Sequence, residues 1–280
     1  MPLETGFYAD VPMDDYVRDN ISPEPSVSTR IVQALVERSP KHAWQMHPRL
    51  GGGIEDESSR ADLGSAVHSA ILGGSQVVYA PDEFQDWRKK DAQAFRDDAR
   101  EKGQIPLLAK QKDEVTAIAA AGKARLLEFG AGQPEQTMLW QDGGVWCRGR
   151  ADFLTADGAY DIDVKTCNNA DPSAWIRGIM CQGGYDVQAA LRVRGHEILG
   201  GRTRDVLFLL VEIQPPYGVS VVGVGPNLIE LAQKKVAHAV KIWRECLKSN
   251  VWPMYESKIH YAEPPAWMQW QVAERLGVAP

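Results

Sequence analysis

Two Asp-Gly pairs, Asp142-Gly143 and Asp157-Gly158, punctuate a stretch of alternating apolar and polar residues that runs from Gln133 to Lys165. Asp-Gly between such runs is the strongest short-range hairpin signal, because a two-residue type I′ turn needs left-handed backbone at both central positions. The stretch therefore reads as a three-stranded antiparallel meander. With Asp157 and Gly158 at the turn, Asp152 stands opposite Asp163 and Arg150 opposite Lys165. With Asp142 and Gly143 at the earlier turn, Glu135 stands opposite Arg150. Directly opposed side chains have Cβ atoms about 4.5–5.5 Å apart, and like charges placed there repel.

Alternation puts Glu135, Arg148, Arg150, Asp152, Asp161, Asp163 and Lys165 on one face of this meander. Met138, Trp140, Val145, Cys147, Ala151, Phe153, Tyr160, Ile162 and Val164 take the other, which is predicted to be the core face. An ordinary antiparallel sheet with one solvated face shows the same alternation. The spacing Asp152-(x)10-Asp163-Val164-Lys165 sets this one apart. Two facing carboxylates need a compensating charge, and a divalent cation would supply it. Oxygen donors at this density favour Mg²⁺, with Mn²⁺ able to substitute. Such an ion suits phosphodiester hydrolysis, with Lys165 touching the attacking water or the developing negative charge. The Val164 side chain points to the core, while its carbonyl is a further candidate ligand.

Bulk composition narrows the class. The 280 residues are 44% hydrophobic and 24% charged, values of a soluble globular protein long enough for one large core. No run of 18 apolar residues suggests a membrane span, and the start of the chain lacks the pattern of a secretory signal. Cys147, Cys167, Cys181 and Cys246 have no zinc spacing and read as reduced, mostly buried thiols of a cytoplasmic protein. A net charge of −6, from 31 basic and 37 acidic residues, argues against coating nucleic acid through the overall field. A local basic groove is compatible with it.

Residues 1–25 read as an extended, weakly structured segment, and residues 26–270 as a single domain. Its helical part covers 26–130 and its sheet core 131–250, with a tail over 251–280. Helices are predicted from a Ser26 or Ser28 cap, from Ser39-Pro40, over Arg60–Leu72, Asp86–Lys102, Asp113–Phe129, Ser173–Arg194 and Asn227–Leu247. Residues 48–59 read as a glycine-rich polar loop. A strand hairpin is expected over Val206–Gln214 and Gly218–Val224, its first strand buried on both faces. The fold class is α/β, a mixed sheet flanked by helices with a helical N-terminal half.

Arg148-Gly149-Arg150-Ala151-Asp152, followed by Asp163-Val164-Lys165-Thr166, resembles the PD-(D/E)xK nuclease signature. More narrowly it is similar to the RecE-like (exodeoxyribonuclease VIII-type) phage exonucleases, which are related to lambda exonuclease and the RecB nuclease domain. Gly64-Ser65-Ala66-Val67-His68 resembles that family's Gly-x-x-x-His helix. Tyr185-Asp186-Val187-Gln188 resembles its Tyr-x-x-Gln helix, and Trp252-Pro253-x-Tyr255 its terminal motif. Ala151 replaces the usual proline, and Arg192 stands where the pattern has a tyrosine.

The resemblance implies a restriction-endonuclease-like fold and a metal site of His68, Asp152, Asp163 and the Val164 carbonyl. Asp152, Asp163, Lys165 and Glu135 would be the catalytic set. Arg148, Arg150, Gln182, Tyr185 and Gln188 would contact DNA. It implies 5′→3′ digestion of double-stranded DNA ends in a bacterial host, by a phage- or prophage-encoded ring-like trimer or tetramer, for a single-strand annealing partner. Blander readings exist for single residues: His68 as a packed helical histidine, Glu135 as a partner of Arg150, and Gln182, Tyr185 and Gln188 as a packing stripe. Arg177, Arg192 and Arg194 read as a basic groove or a solvated face. A structure-specific or restriction-like endonuclease, and a catalytically silent DNA-binding module, are the rival functions.

Overall fold

The computed structural model describes residues 2–53, 59–200 and 204–279. From the N-terminus the chain runs through β1 (Gly6–Tyr8), α1 (Met13–Val17), α2 (Thr29–Glu37), α3 (Pro40–Met46) and α4 (Ser59–Leu72). β2 (Val77–Tyr79), α5 (Lys90–Glu101), β3 (Ile105–Leu107) and α6 (Lys112–Leu127) follow. Next come the long strands β4 (Gly132–Asp142), β5 (Val145–Thr155) and β6 (Tyr160–Cys167). A broken helical stretch of α7 (Pro172–Ala174), a π turn (Trp175–Ile179) and α8 (Met180–Gln182) leads to α9 (Tyr185–Ile198). Beyond it lie β7 (Asp205–Glu212), β8 (Val219–Gly223), α10 (Pro226–Ser249) and α11 (Ala266–Leu276). Part of the predicted 48–59 loop, residues 54–58, lies outside the described residues.

One sheet has the order β1-β4-β5-β6-β7-β8, with β6 and β7 parallel and the other neighbours antiparallel. β2 and β3 form a separate parallel pair. The β5–β6 register is the one expected, with Leu154 opposite Asp161 and Phe153 opposite Ile162, but of Asp157 and Gly158 only Gly158 has a positive φ, 79°. The β4–β5 register differs from expectation by two residues. Asp142 pairs with Val145, so Gly143-Gly144 is the turn and Thr137, not Glu135, faces Arg150. Both glycines have positive φ, 56° and 82°, which the turn type requires and Asp142 would meet at a cost. A shift of two keeps each side chain on its face.

The single apolar face expected of the meander is instead divided between two cores. Met138, Trp140, Val145 and Cys147 pack with α2, α9 and α10 through Ile31, Leu35, Leu191, Val236 and Trp243. Ile162 and Val164 pack with α4 and α6 through Val67, Ile71, Val115 and Ile118. The cause is local. The β4–β5 ladder skips Glu135 and Asp152, pairing Gln136 with Ala151 and then Pro134 with Phe153, and Glu135 takes a left-handed φ of 55°. Trp140 and Trp243 are fully buried, and truncating either to Ala would cost about 3–5 kcal/mol. β7 is buried on both faces as predicted. Leu209 and Val211 enter one core, and Val206, Phe208 and Leu210 another.

Two further corrections bear on the site. The helix expected over Ser173–Arg194 is broken at Gly183-Gly184. Gly184 is left-handed (φ 68°) and lies so close to Gln33 that a Cβ would collide with it. The Gln33 amide donates to the Gly184 carbonyl at 3.1 Å, so α2 holds the break in place. The first 25 residues, expected to be loosely extended, are built into the body. β1 pairs with β4, and Phe7 stacks on His196 of α9 at 5.6 Å. Asp19 is fully buried, accepting from Ser22 Oγ, Ser26 N and Ser26 Oγ at 2.7, 2.8 and 2.6 Å, with Arg148 Nη1 at 2.9 Å.

Candidate active site

β5 and β6 part immediately after the Phe153–Ile162 pair, and Asp152 fills the gap they leave. Its Oδ2 accepts from the backbone N–H of Val164 at 2.7 Å, a bond the ladder would otherwise have supplied. A strand residue presents its N–H and C=O to the same edge, so the Val164 carbonyl faces this gap too. Asp152 is thereby tied to the middle of Asp163-Val164-Lys165. Lys165 Nζ lies 2.6 Å from Asp163 Oδ2.

α4 closes one side. His68 Nε2 is 2.9 Å from Asp152 Oδ2, and Nδ1 is 3.4 Å from Glu135 Oε1. The glycine one turn earlier lets α4 lie close against β6: a Cβ on Gly64 would come within 3.3 Å of Thr166 Oγ1, a tight contact that would crowd the two elements. The reading of Glu135 as a partner of Arg150 is realised, since its Oε2 accepts from Arg150 Nε at 2.5 Å. Arg150 also donates to the Val11 carbonyl at 2.8 Å, linking the site to the segment before α1. His68, Glu135, Arg150, Val164, Lys165 and Thr166 line a cavity of ≈ 570 Å³.

α9 closes the other side. Asp163 is buried, and its Oδ1 accepts from Gln188 Nε2 and from Arg192 Nη1, both at 2.6 Å. The Arg192 fork continues to Asp161, with Nε 2.9 Å from Oδ2 and Nη2 bonded to Oδ1. His196 Nε2 donates to the same Asp161 Oδ2 at 2.9 Å. Arg192 is thus not on a solvated face. It is the buried counter-charge of two strand acids, and the sequence carried a signal for it. Asp161 and Asp163 alternate on one strand face that a helix must cover, and Arg192 lies one turn after Gln188 on that helix.

The remaining candidates fall in different places. Tyr185 has its ring 5.8 Å from Lys165 Nζ and packs between Trp175 and Phe208. Gln182 does not share a helix with Tyr185 and Gln188, because it is exposed on α8 before the glycine break. Arg148 is 4% exposed and bonded to Ser26 and Asp19, so it anchors the N-terminal segment. Arg177 is exposed, and Arg194 pairs with Asp142. Arg148, Arg150, Tyr185, Gln188, Arg192 and Arg30 line a second cavity of ≈ 560 Å³ beside the first.

The charges are strongly coupled. Burial would raise Asp152, but His68, Lys165 and Arg192 outweigh it and hold its carboxyl below the usual range. Burial and the neighbouring Asp152 charge push Asp163 the other way. Burial opposes charge on His68 and Lys165, yet the surrounding carboxylates hold both above their ordinary values. A carboxylate driven toward protonation beside another marks a deficit of positive charge. Asp163 Oδ2 is also buried, with Lys165 Nζ at ion-pair distance, 2.6 Å. Among the described residues no group of three or more His, Cys, Asp or Glu is placed to hold a metal ion as it stands. With a cation bound, Asp152, Asp163 Oδ2 and the Val164 carbonyl would be the oxygen donors, with His68 beside them. That chemistry fits a hard divalent cation.

No described helix is long and apolar enough to cross a membrane. No curated protein matches the chain in sequence. A candidate exonuclease from Eubacterium rectale is similar in structure at 15% identity, covering 90% of this chain and 96% of that one, with a TM-score of 0.59. An alkaline exonuclease from Laribacter hongkongensis aligns at 17% identity over 66% of this chain and 97% of that one, with a TM-score of 0.32. A phage related exonuclease from Haemophilus somnus 129PT aligns at 12% identity over 81% and 96%, with a TM-score of 0.34. Residues 35–265 match the family described as a PDDEXK-like domain of unknown function (DUF3799). With that match spanning most of its length and the sheet order above, the chain belongs to the PDDEXK-like family DUF3799 and has the restriction-endonuclease-like fold.

Proposed function

We propose that this chain is a divalent-metal-dependent deoxyribonuclease, an exonuclease of the RecE-like type that digests double-stranded ends 5′→3′. The observation that carries the reading is the Asp152–Val164 bond, which brings both acids and Lys165 to one opening in the sheet. Asp152, Asp163 through Oδ2 and the Val164 carbonyl would hold the cation, Mg²⁺ or Mn²⁺, with His68 beside them. When bound, such an ion polarises a scissile phosphate and acidifies a water molecule.

The chain's own residues do the rest. Lys165 orients the attacking water and stabilises charge developing on the phosphate. Its ammonium lies 5.8 Å from the Tyr185 ring, within reach of the ring's attraction. Gln188 and Arg192 keep Asp163 at a fixed angle. Arg150 lines both cavities and is the strongest candidate for a backbone phosphate contact. Glu135 holds Arg150 and faces His68, a positioning role. A single-strand annealing partner, a ring-like trimer or tetramer, phage origin and a place in the bacterial cytoplasm belong to this reading on the strength of the sequence resemblance.

Linear duplex labelled at its 5′ or 3′ ends, digested alongside covalently closed circles in Mg²⁺, tests it. Progressive loss from 5′ ends with intact circles is expected. Cutting of circles supports a restriction-like endonuclease, and binding without cleavage in Mg²⁺ supports a silent DNA-binding module.

A further inference from the structure

Arg150 is held from three sides. Its Nε donates to Glu135 Oε2 at 2.5 Å, and its Nη1 donates to the Val11 carbonyl at 2.8 Å and to Thr137 Oγ1 at 3.2 Å. The Tyr16 ring lies against the guanidinium, with its centroid 5.9 Å from Cζ. A cation at that range from an aromatic face is attracted by the ring's quadrupole. Among the described residues Nη2 has no protein partner, and Arg150 lines both cavities. The guanidinium is a rigid plane, so holding Nε and Nη1 also sets the direction in which Nη2 points.

Two of these holds, the Val11 carbonyl and the Tyr16 ring, come from the N-terminal segment, ahead of the residues that match the family. Tyr16 is itself fixed. It packs against the buried cluster of Val11, Ile21 and Leu139, and its backbone N–H donates to the Pro12 carbonyl at 3.0 Å. Arg148, tied to Ser26 and Asp19, has its Cζ 5.6 Å from the same ring. The segment also walls both cavities. Val11, Pro12 and Met13 line the one that Lys165 lines, and Tyr16 and Val17 line the other.

We infer that Tyr16 is a positioning residue of the active site: with the Val11 carbonyl it aims the free Arg150 nitrogen at a backbone phosphate of DNA spanning the two cavities. The inference rests on the reading of Arg150 as a phosphate contact, and it adds the N-terminal segment to the parts that hold substrate. Asp19 fastens that segment to the body, whereas Tyr16 acts through Arg150 on DNA.

Binding of a labelled linear duplex, followed by fluorescence anisotropy with Ca²⁺ in place of Mg²⁺ so that the DNA is held rather than cut, tests this. Wild type, Tyr16→Leu, Arg150→Gln and the double variant form a cycle. Arg150→Gln is expected to bind about tenfold more weakly or worse. Its affinity should also depend less on salt, the log–log slope being shallower by about 0.9 for one lost phosphate contact. Tyr16→Leu is expected to weaken binding about threefold or more in wild type and to add nothing in Arg150→Gln. Tyr16→Phe keeps the ring and is expected to recover most of that loss.

Additive losses in the double variant, or equal losses in Tyr16→Phe and Tyr16→Leu, would overturn the inference and leave the phosphate reading standing. Wild-type binding by Arg150→Gln would overturn the phosphate reading, and the inference with it. Should Tyr16→Leu not fold, pentafluorophenylalanine at position 16 keeps the ring's shape while removing its negative face. Weaker binding than in Tyr16→Phe is then expected, and equal binding would overturn the assignment.

Discussion

Asp152 Oδ2 accepts a hydrogen bond from the Val164 backbone at 2.7 Å, one residue beyond the last β5–β6 pair. A side chain has replaced a strand in the ladder, and the opening this creates is where the candidate metal donors meet. The functional proposals depend on that replacement.

Removing the Asp163 charge tests the metal site. Asp163→Asn keeps an oxygen and the side-chain shape but removes the carboxylate. Mn²⁺ binding and DNA cleavage are both expected to fall by about a hundredfold or more, which is about 2.7 kcal/mol. Titration calorimetry and an initial-rate assay check this. Because burial and Asp152 already push Asp163 toward its neutral form, the thermal midpoint is expected to hold or rise. Unchanged metal affinity would remove Asp163 from the site.

Gly64 governs how closely α4 approaches β6. Gly64→Leu sets a branched chain against Thr166 Oγ1, which a Cβ alone would meet at 3.3 Å. Displacing α4 carries His68 away from Asp152. Cleavage is expected to fall at least tenfold while the melting temperature drops only modestly, as rates and thermal melts would show. Wild-type cleavage in this variant would mean that His68 placement does not matter.

The β5–β6 register was legible because it is local, with Gly158 at the turn, and α4 was legible as a helix over Arg60–Leu72. Other features depend on contacts distant along the chain. Asp142-Gly143 competes with Gly143-Gly144 for the same turn, and the backbone favours the pair with no Cβ at either left-handed position. The break at Gly183-Gly184 is held by Gln33, about 150 residues earlier. Arg192 looked like a surface charge until Asp161 and Asp163 were placed under it. Asp19 falls in the segment read as weakly structured, although Arg148 and His47 hold it from across the fold. α11 was read as an aromatic tail, and Trp267 and Trp270 remain exposed on it.

The Asp19 cluster fastens the N-terminal segment. Burial would raise its carboxyl, but bonds from His47 and Ser26 and the Arg148 charge outweigh this and hold it below the ordinary value. Its contribution is therefore full above the unfolded carboxylate pKa of about 3.9 and fades as pH falls through the lower folded value. Asp19→Ala leaves Arg148 buried and unpaired, at a cost of about 3–5 kcal/mol. Urea unfolding at neutral pH measures that loss. The variant is also expected to lose less stability than wild type between about pH 5 and pH 3.

His196 gives a pH dependence of its own. Burial, with Arg192 and Arg204 nearby, lowers it to about 3, so the folded protein holds a neutral imidazole. The unfolded chain takes up the proton near pH 6.5, and stability falls as pH drops from there toward about 3. The slope from this one group is about 1.4 kcal/mol per pH unit. Denaturation at about pH 7.5 and pH 5.5 is expected to show it in wild type and not in His196→Gln.

Cleavage of linear duplex by wild type and Lys165→Met, each with Mg²⁺ and with chelator, tests the nuclease reading most directly. Lys165→Met keeps the stem beside Tyr185 and removes only the ammonium. Wild type is expected to cut in Mg²⁺ and stop in chelator, with Lys165→Met slower by about a hundredfold or more while still binding Mn²⁺. Cutting by Lys165→Met at the wild-type rate, or no cutting by wild type in Mg²⁺, would contradict it.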